Sequence, residues 1–156
     1  MRSRLSRRIA AVAATTVVAV AGVLATGGTA SADRNDAQGV IWNNESLTKG
    51  SHIRNGNAQL TLQDDGNVVI YTTGDNWAHR TPVWQTGTVG CGDRAVMQAD
   101  GNFVVYGRDN RVCWASHTAQ SEIGTNYPVM KLGLYSDGTL RVFSEAPYII
   151  QVWSSR

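Results

Sequence analysis

The chain has 156 residues, 14 Lys and Arg against 12 Asp and Glu, and two cysteines. That length holds one small domain once a leader is set aside. Without the four arginines of the first 32 residues, ten basic face twelve acidic residues, and no basic run or cationic amphipathic stretch remains to meet nucleic acid or insert into a membrane.

The first 32 residues read as a secretory signal peptide: the cationic "MRSRLSRR", the apolar "IAAVAATTVVAVAGVLA" and the small-residue cleavage site "ASA" (Ala30 to Ala32). A membrane anchor is the competing reading, but the run is Ala-rich, interrupted by Thr and followed at once by "TGGTASA". Arg7 and Arg8 lack the apolar residues that twin-arginine export expects after the pair. A secreted, extracellular protein is expected, with residues 33–39 as a short linker and 40–156 as the folded domain. "NES" at Asn44 matches a glycosylation sequon, which matters only in a eukaryotic secretory pathway.

Two stretches, "LQDDGNVVIY" (Leu62 to Tyr71) and "MQADGNFVVY" (Met97 to Tyr106), share Gln-x-Asp-Gly-Asn-x-Val-x-Tyr. A third copy, "LYSDGTLRVF" (Leu134 to Phe143), keeps the Asp-Gly pair and has Tyr135, Asp137, Thr139, Arg141 and Phe143 at the motif positions. Each copy is followed by a Trp, in "PVWQTGT", "VCWASHT" and "QVWSSR", so a unit of about 36 residues occurs three times. Short alternating runs of Val, Ile, Leu, Tyr and Thr separated by Gly, Asn and Asp predict strands, roughly four per unit. Pro82, Pro128 and Pro147 belong at strand starts or edges. Cys91 and Cys113, in a chain bound for an oxidising compartment, predict a disulfide that stabilises by roughly 3 kcal/mol.

As one continuous strand, Gln63 and Tyr71 would lie about 26 Å apart, too far for one small ligand. Asp-Gly between two alternating apolar stretches instead signals a hairpin. The predicted fold is therefore "QLTLQ", the turn "DDGN" and "VVIY", which brings Gln63, Asp65, Asn67, Val69 and Tyr71 to one patch. The intervening residues of the second copy, Met97, Ala99, Gly101, Phe103 and Val105, form the expected core-facing set. The third copy keeps that inner set as Leu134, Ser136, Gly138, Leu140 and Val142, while its outer set has changed. Two amides, a carboxylate, a phenol and an aliphatic surface match the hydroxyls and C–H faces of a sugar ring.

These motifs resemble those of the monocot bulb-type mannose-binding lectins, whose signature Gln-x-Asp-x-Asn-x-Val-x-Tyr stands here in full twice. The resemblance runs from about Val40 to Arg156 and includes the lead-in "VIWNNESLTKGSHIRNGNAQLTLQ". It implies an all-β fold, the β-prism II, with three four-stranded antiparallel sheets in pseudo-threefold symmetry. It also implies recognition of α-mannose in glycans or polysaccharides without calcium, any other metal or a cofactor. By the resemblance, Asp65 and Asn67 hold the axial 2-hydroxyl, Gln63 the 3-hydroxyl and Tyr71 the 4-hydroxyl, and Val69 touches the ring carbons. Asp100, Asn102, Gln98, Tyr106 and Val104 repeat those roles. The third copy keeps only Asp137 of the five and is expected not to bind in that manner, Arg141 standing where the ring would lie. Members of the family pair by exchanging C-terminal strands, which makes "YIIQVWSSR" the candidate for a homodimer.

Trp84, Trp114 and Trp153 occupy one position in every repeat, which predicts three core residues at the threefold axis ahead of sugar platforms. Trp77, in the insertion "TTGDNWAHRT", either caps its hairpin or extends the first site. His52, His79 and His117 are scattered without a nucleophile at catalytic spacing. Asp65 and Asp100 belong to separate copies, whereas a glycosidase needs two carboxylates within roughly 10 Å across one bond, so no enzyme is expected. Besides a lectin, two functions compete: a lectin-like bacteriocin docking on cell-surface polysaccharide, and a structural wall protein that retains the motif for folding. Tandem modules, common in such toxins, are missing from this chain.

Overall fold

The computed structural model describes residues 39–127 and 129–156; the expected signal peptide and Pro128 lie outside the described residues. The N-terminal lead-in forms three short strands, β1 (Val40–Trp42), β2 (Ser46–Thr48) and β3 (His52–Asn55). The repeats follow as β4 (Ala58–Leu62), β5 (Val68–Thr72) and β6 (Thr81–Gln85), then β7 (Arg94–Met97), β8 (Phe103–Tyr106) and β9 (Val112–Ala115). A single helical turn, α1 (Gln120–Ile123), precedes β10 (Val129–Leu134), β11 (Leu140–Ala146) and β12 (Ile150–Ser154).

These strands make three four-stranded antiparallel sheets, ordered β1-β10-β11-β12, β2-β7-β8-β9 and β3-β4-β5-β6. The predicted β-prism II is the observed architecture. Each repeat supplies three strands rather than four. The fourth comes from the lead-in, which crosses from sheet to sheet and adds one strand to each. Gly39 extends this stitching, its carbonyl accepting the Leu134 amide at 2.7 Å.

The inner faces meet in one core that includes Leu60, Ile70, Met97, Phe103, Leu132 and Val142. Each such side chain, wholly removed from water, contributes about 1.5–3 kcal/mol relative to an exposed one. Trp84, Trp114 and Trp153 close the centre as predicted, edge to face, with centroids 5.6, 6.0 and 6.0 Å apart. The disulfide forms between Cys91 and Cys113 and ties the loop before β7 to β9, with Cα atoms 6.0 Å apart.

The inner set differs from expectation at one place. Ala99 and Ser136 are exposed, because they sit in the turns, where the alternation of a strand no longer holds. Pro82 lies in the edge strand β6, and Pro147 follows β11 after a cis peptide bond.

Candidate functional site

The three hairpins share one turn. In each, the Gly amide donates back to the carbonyl of the first motif residue, as Gly66 to Gln63, Gly101 to Gln98 and Gly138 to Tyr135. The three glycines have φ of +91°, +93° and +79°, which side chains rarely adopt. At Gly66 a Cβ would stand 2.5 Å from the Gly92 carbonyl oxygen, so the neighbouring loop also requires glycine there.

The motif aspartates share a second task. Asp65, Asp100 and Asp137 each accept, through Oδ1, the backbone amide two residues on, at 2.9, 3.0 and 2.8 Å. Such a bond stabilises the turn by itself. The survival of Asp137 in the eroded copy therefore follows from folding. In the complete copies the Oδ2 atoms of Asp65 and Asp100 have no hydrogen-bond partner among the described residues, and both aspartates are exposed.

The hairpins bring the rest of each motif together as predicted. Gln63 Nε2 donates to the Tyr71 hydroxyl at 2.8 Å, and Gln98 Nε2 to that of Tyr106 at 2.7 Å. The pairing fixes both side chains while leaving the amide oxygen as acceptor and the phenolic proton as donor. Val69 and Val104 form the floor, 3% and 2% exposed. Beside the first pair lies a cavity of about 360 Å³ lined by Gln63, Val69, Tyr71, Pro82, Val83, Trp84 and Gln85.

The asparagines are less free than their spacing implied. Asn67 Oδ1 accepts from the Thr88 amide at 3.0 Å and the Thr86 hydroxyl at 3.3 Å. Asn102 Oδ1 is held likewise by the Thr118 amide at 3.3 Å and the Ser116 hydroxyl at 3.1 Å. The two sites then diverge. Asn67 Nδ2 donates to Gln85 Oε1 at 2.7 Å, whereas Ala115 stands at the matching place beside Val104, leaving Asn102 Nδ2 without a partner among the described residues. The residues that position the asparagines are legible in retrospect: "WQTGT" and "WASHT" both place Thr or Ser two and four residues after the Trp, the first binding through its hydroxyl and the second through its amide.

The third face has been rebuilt. The Arg141 guanidinium lies 4.1 Å from the Tyr135 ring centroid and 3.9 Å from Asp137 Oδ2, across the place of the missing Gln–Tyr pair. Thr139, through its hydroxyl and amide, and then Arg141 and Arg156 hold the Asp137 carboxyl below the usual carboxylate value. Next to it Lys131 pairs with Glu145 and lies over the rings of Trp42 at 4.5 Å and Phe143 at 4.8 Å. Burial pulls this ammonium below its ordinary value. Spacing gave no sign of the Lys131 cluster, because it depends on β1 pairing with β10 across most of the chain.

Trp77 has one ring face under the Arg54 guanidinium, 4.6 Å from the centroid, and its backbone amide donates to Thr73 Oγ1 at 3.0 Å. These contacts tie the insertion to β3 and to its own first residues. His79 pairs with Asp75 at 2.5 Å and His117 with Glu122 at 3.6 Å, both on the surface. Among the described residues no group of three or more His, Cys, Asp or Glu is placed to hold a metal ion, and no helix is long and apolar enough to cross a membrane.

No family model matches the chain. It is 34% identical over 89 residues to a mannose-specific lectin of Aloe arborescens, covering 56% of this chain and 73% of that protein. It is 30% identical over 115 residues to the B-type lectin plumieribetin of Scorpaena plumieri, covering 72% and 89%. Among solved structures, the mannose-specific agglutinin of snowdrop (Galanthus nivalis) bulbs, in complex with methyl α-D-mannoside, superposes with a TM-score of 0.58 at 26% identity, covering 70% of this chain and 93% of that one.

Proposed function

The chain belongs to the bulb-type mannose-specific lectins, and on that premise we propose that it binds mannose-containing glycans through two sites, without calcium. One observation carries this reading. Two hairpins independently hold a Gln–Tyr pair, a carboxylate oxygen without a partner and a buried Val floor in the same arrangement. In the proposed pose Asp65 and Asn67 take the axial 2-hydroxyl, Gln63 the 3-hydroxyl and Tyr71 the 4-hydroxyl over Val69. Asp100, Asn102, Gln98, Tyr106 and Val104 do the same in the second site. Every group is an uncharged amide or phenol, or a single carboxylate, so recognition is by hydrogen bonding and no carboxylate cage calls for a cation.

The third face, filled by Arg141, Lys131 and their partners, takes no mannose in this scheme. The protein is exported by its signal-like first 32 residues, and its disulfide suits an oxidising compartment. Two copies pair through the C-terminal strand: β12 is an edge strand, preceded by Tyr148 and Ile149, which are 72% and 78% exposed. Two shallow sites per chain, doubled in a dimer, gain avidity on a polymer because tethering raises the effective concentration. The bacteriocin reading finds no support in the relatives, which are named as lectins.

The test is retention on immobilised mannan in the presence of EDTA. Elution by methyl α-mannoside but not by the glucoside supports the reading. Passage through the column, or retention that EDTA abolishes, contradicts it.

A further inference from the structure

We propose that both complete sites favour a mannose carrying an anionic group, phosphate or carboxylate, at C6. This rests on the mannose reading above and refines it.

Each repeat places a cation over the aromatic ring at the last motif position. The Arg80 guanidinium carbon lies 5.1 Å from the Tyr71 centroid and that of Arg94 lies 4.8 Å from the Tyr106 centroid. The third counterpart is Lys131 over Phe143. The three differ in one respect. Lys131 is 8% exposed and neutralised by Glu145, in the copy that has lost the sugar-reading residues. Among the described residues Arg80 and Arg94 have no carboxylate partner, in the copies that have kept them. Arg94 spends one nitrogen on Asn110 Oδ1 at 2.7 Å, and Arg80 is exposed.

Duplication accounts for Arg94 and Lys131, which hold the same register place opposite Tyr106 and Phe143, but not for the cation of the first repeat. Arg94 comes from β7, the strand before the hairpin's return, and pairs in register with Tyr106. Its register counterpart in the first repeat is Gln59, and there the cation is Arg80, from the insertion that precedes β6. Two different elements deliver a guanidinium to one end of two equivalent sites. General basicity does not explain it either, since the acidic residues outnumber the basic ones beyond residue 32.

In the proposed pose the phenol meets the 4-hydroxyl, and C6 is the carbon on the neighbouring ring position. A phosphate or carboxylate there comes within reach of the guanidinium, whose planar fork suits either anion. A neutral hexose leaves that charge solvated. The other basic cluster, Lys49, Arg108 and Arg111 around a cavity of about 420 Å³ beside the disulfide, is a weaker place for an anion. Arg108 already pairs with Asp93 and Arg111 with Asp109.

The experiment is calorimetric titration of the purified protein with mannose, mannose 6-phosphate, mannuronic acid and glucose 6-phosphate, at low and high ionic strength. An exposed ion pair predicts roughly two- to fivefold tighter binding of at least one anionic mannose than of mannose at low salt, shrinking as salt rises. Glucose 6-phosphate gains nothing at these sites. In the Arg80→Gln, Arg94→Gln double variant the affinity ratio falls to about one. Gain for the phosphate alone or the carboxylate alone identifies the anion. Equal or weaker binding of both, an advantage unmoved by salt, or one that survives the double variant overturns the proposal. A protein that binds mannose yet gains nothing loses only this refinement, whereas one that binds no mannose derivative at all removes the mannose reading and this proposal with it.

Discussion

The first and third hairpins fold alike and present different chemistry. Both have the same turn, the same Asp accepting the amide two residues on and the same positive-φ glycine. Both cover their inner faces with fully buried aliphatic residues. On the outer face, one holds a Gln–Tyr hydrogen bond over Val, and the other holds Arg141 against Tyr135 and Lys131 among Trp42, Phe143 and Glu145. Part of the motif thus belongs to the scaffold. Asp and Gly persist because the turn needs them, while Gln, Val and Tyr are free to change because the fold does not.

The largest effect should come from striking what all three repeats share. Trp114→Ala removes one member of the central triad and two of its three edge contacts, and should cost about 3 kcal/mol in chemical denaturation, whichever site is watched. Next come the hydroxyls of the two complete sites. Tyr71→Phe and Tyr106→Phe should each weaken mannoside binding at their own site by about 1 kcal/mol, near fivefold, with little effect on the fold. Phe143→Tyr should restore nothing, since Lys131 and Arg141 still fill that face.

A subtler difference separates the two complete sites. Gln85→Ala copies Ala115 and frees the Asn67 amide, so the first site should tighten toward the second by about 0.5–1 kcal/mol, merging two classes of affinity into one. The smallest effect concerns pH. The Asp75 carboxyl is held below its ordinary value of 3.8 mainly by His79, and that of Asp137 by Thr139. A carboxylate lowered in the fold stabilises it above the ordinary value and ceases to do so as pH falls through its own lower one. Acidification below 3.8 should therefore shift the amide resonances of His79 and Thr139, with the central tryptophans undisturbed.

Much of this was legible in the chain because it is local. The Asp-Gly turn, the repeat of about 36 residues and the trailing Trp each sit within a few residues of one another, and all were found where expected. The parts that escaped are those that depend on distant pairing. β1, β2 and β3 each join a different sheet, which no periodicity announces. The Trp42–Lys131–Phe143 arrangement and the Arg94 guanidinium over Tyr106 arise from cross-strand register, and Arg80 reaches Tyr71 from the insertion before β6. Parity also misled at the turn, where Ala99 and Ser136 leave the inner face. The dual duty of Asn67 and Asn102, which hold a following loop as well as facing the site, became visible only once Thr88 and Thr118 were placed.

If two faces read sugar and one does not, binding stoichiometry must show it. Calorimetric titration of the protein with methyl α-mannoside should give two sites per chain. One site should remain in either Asp65→Asn or Asp100→Asn, substitutions that keep the side-chain oxygen for the turn but remove the carboxylate. Asp137→Asn should leave both. Three sites in the native chain, or loss of a site on changing Asp137, would contradict the division of the signature into scaffold and reader.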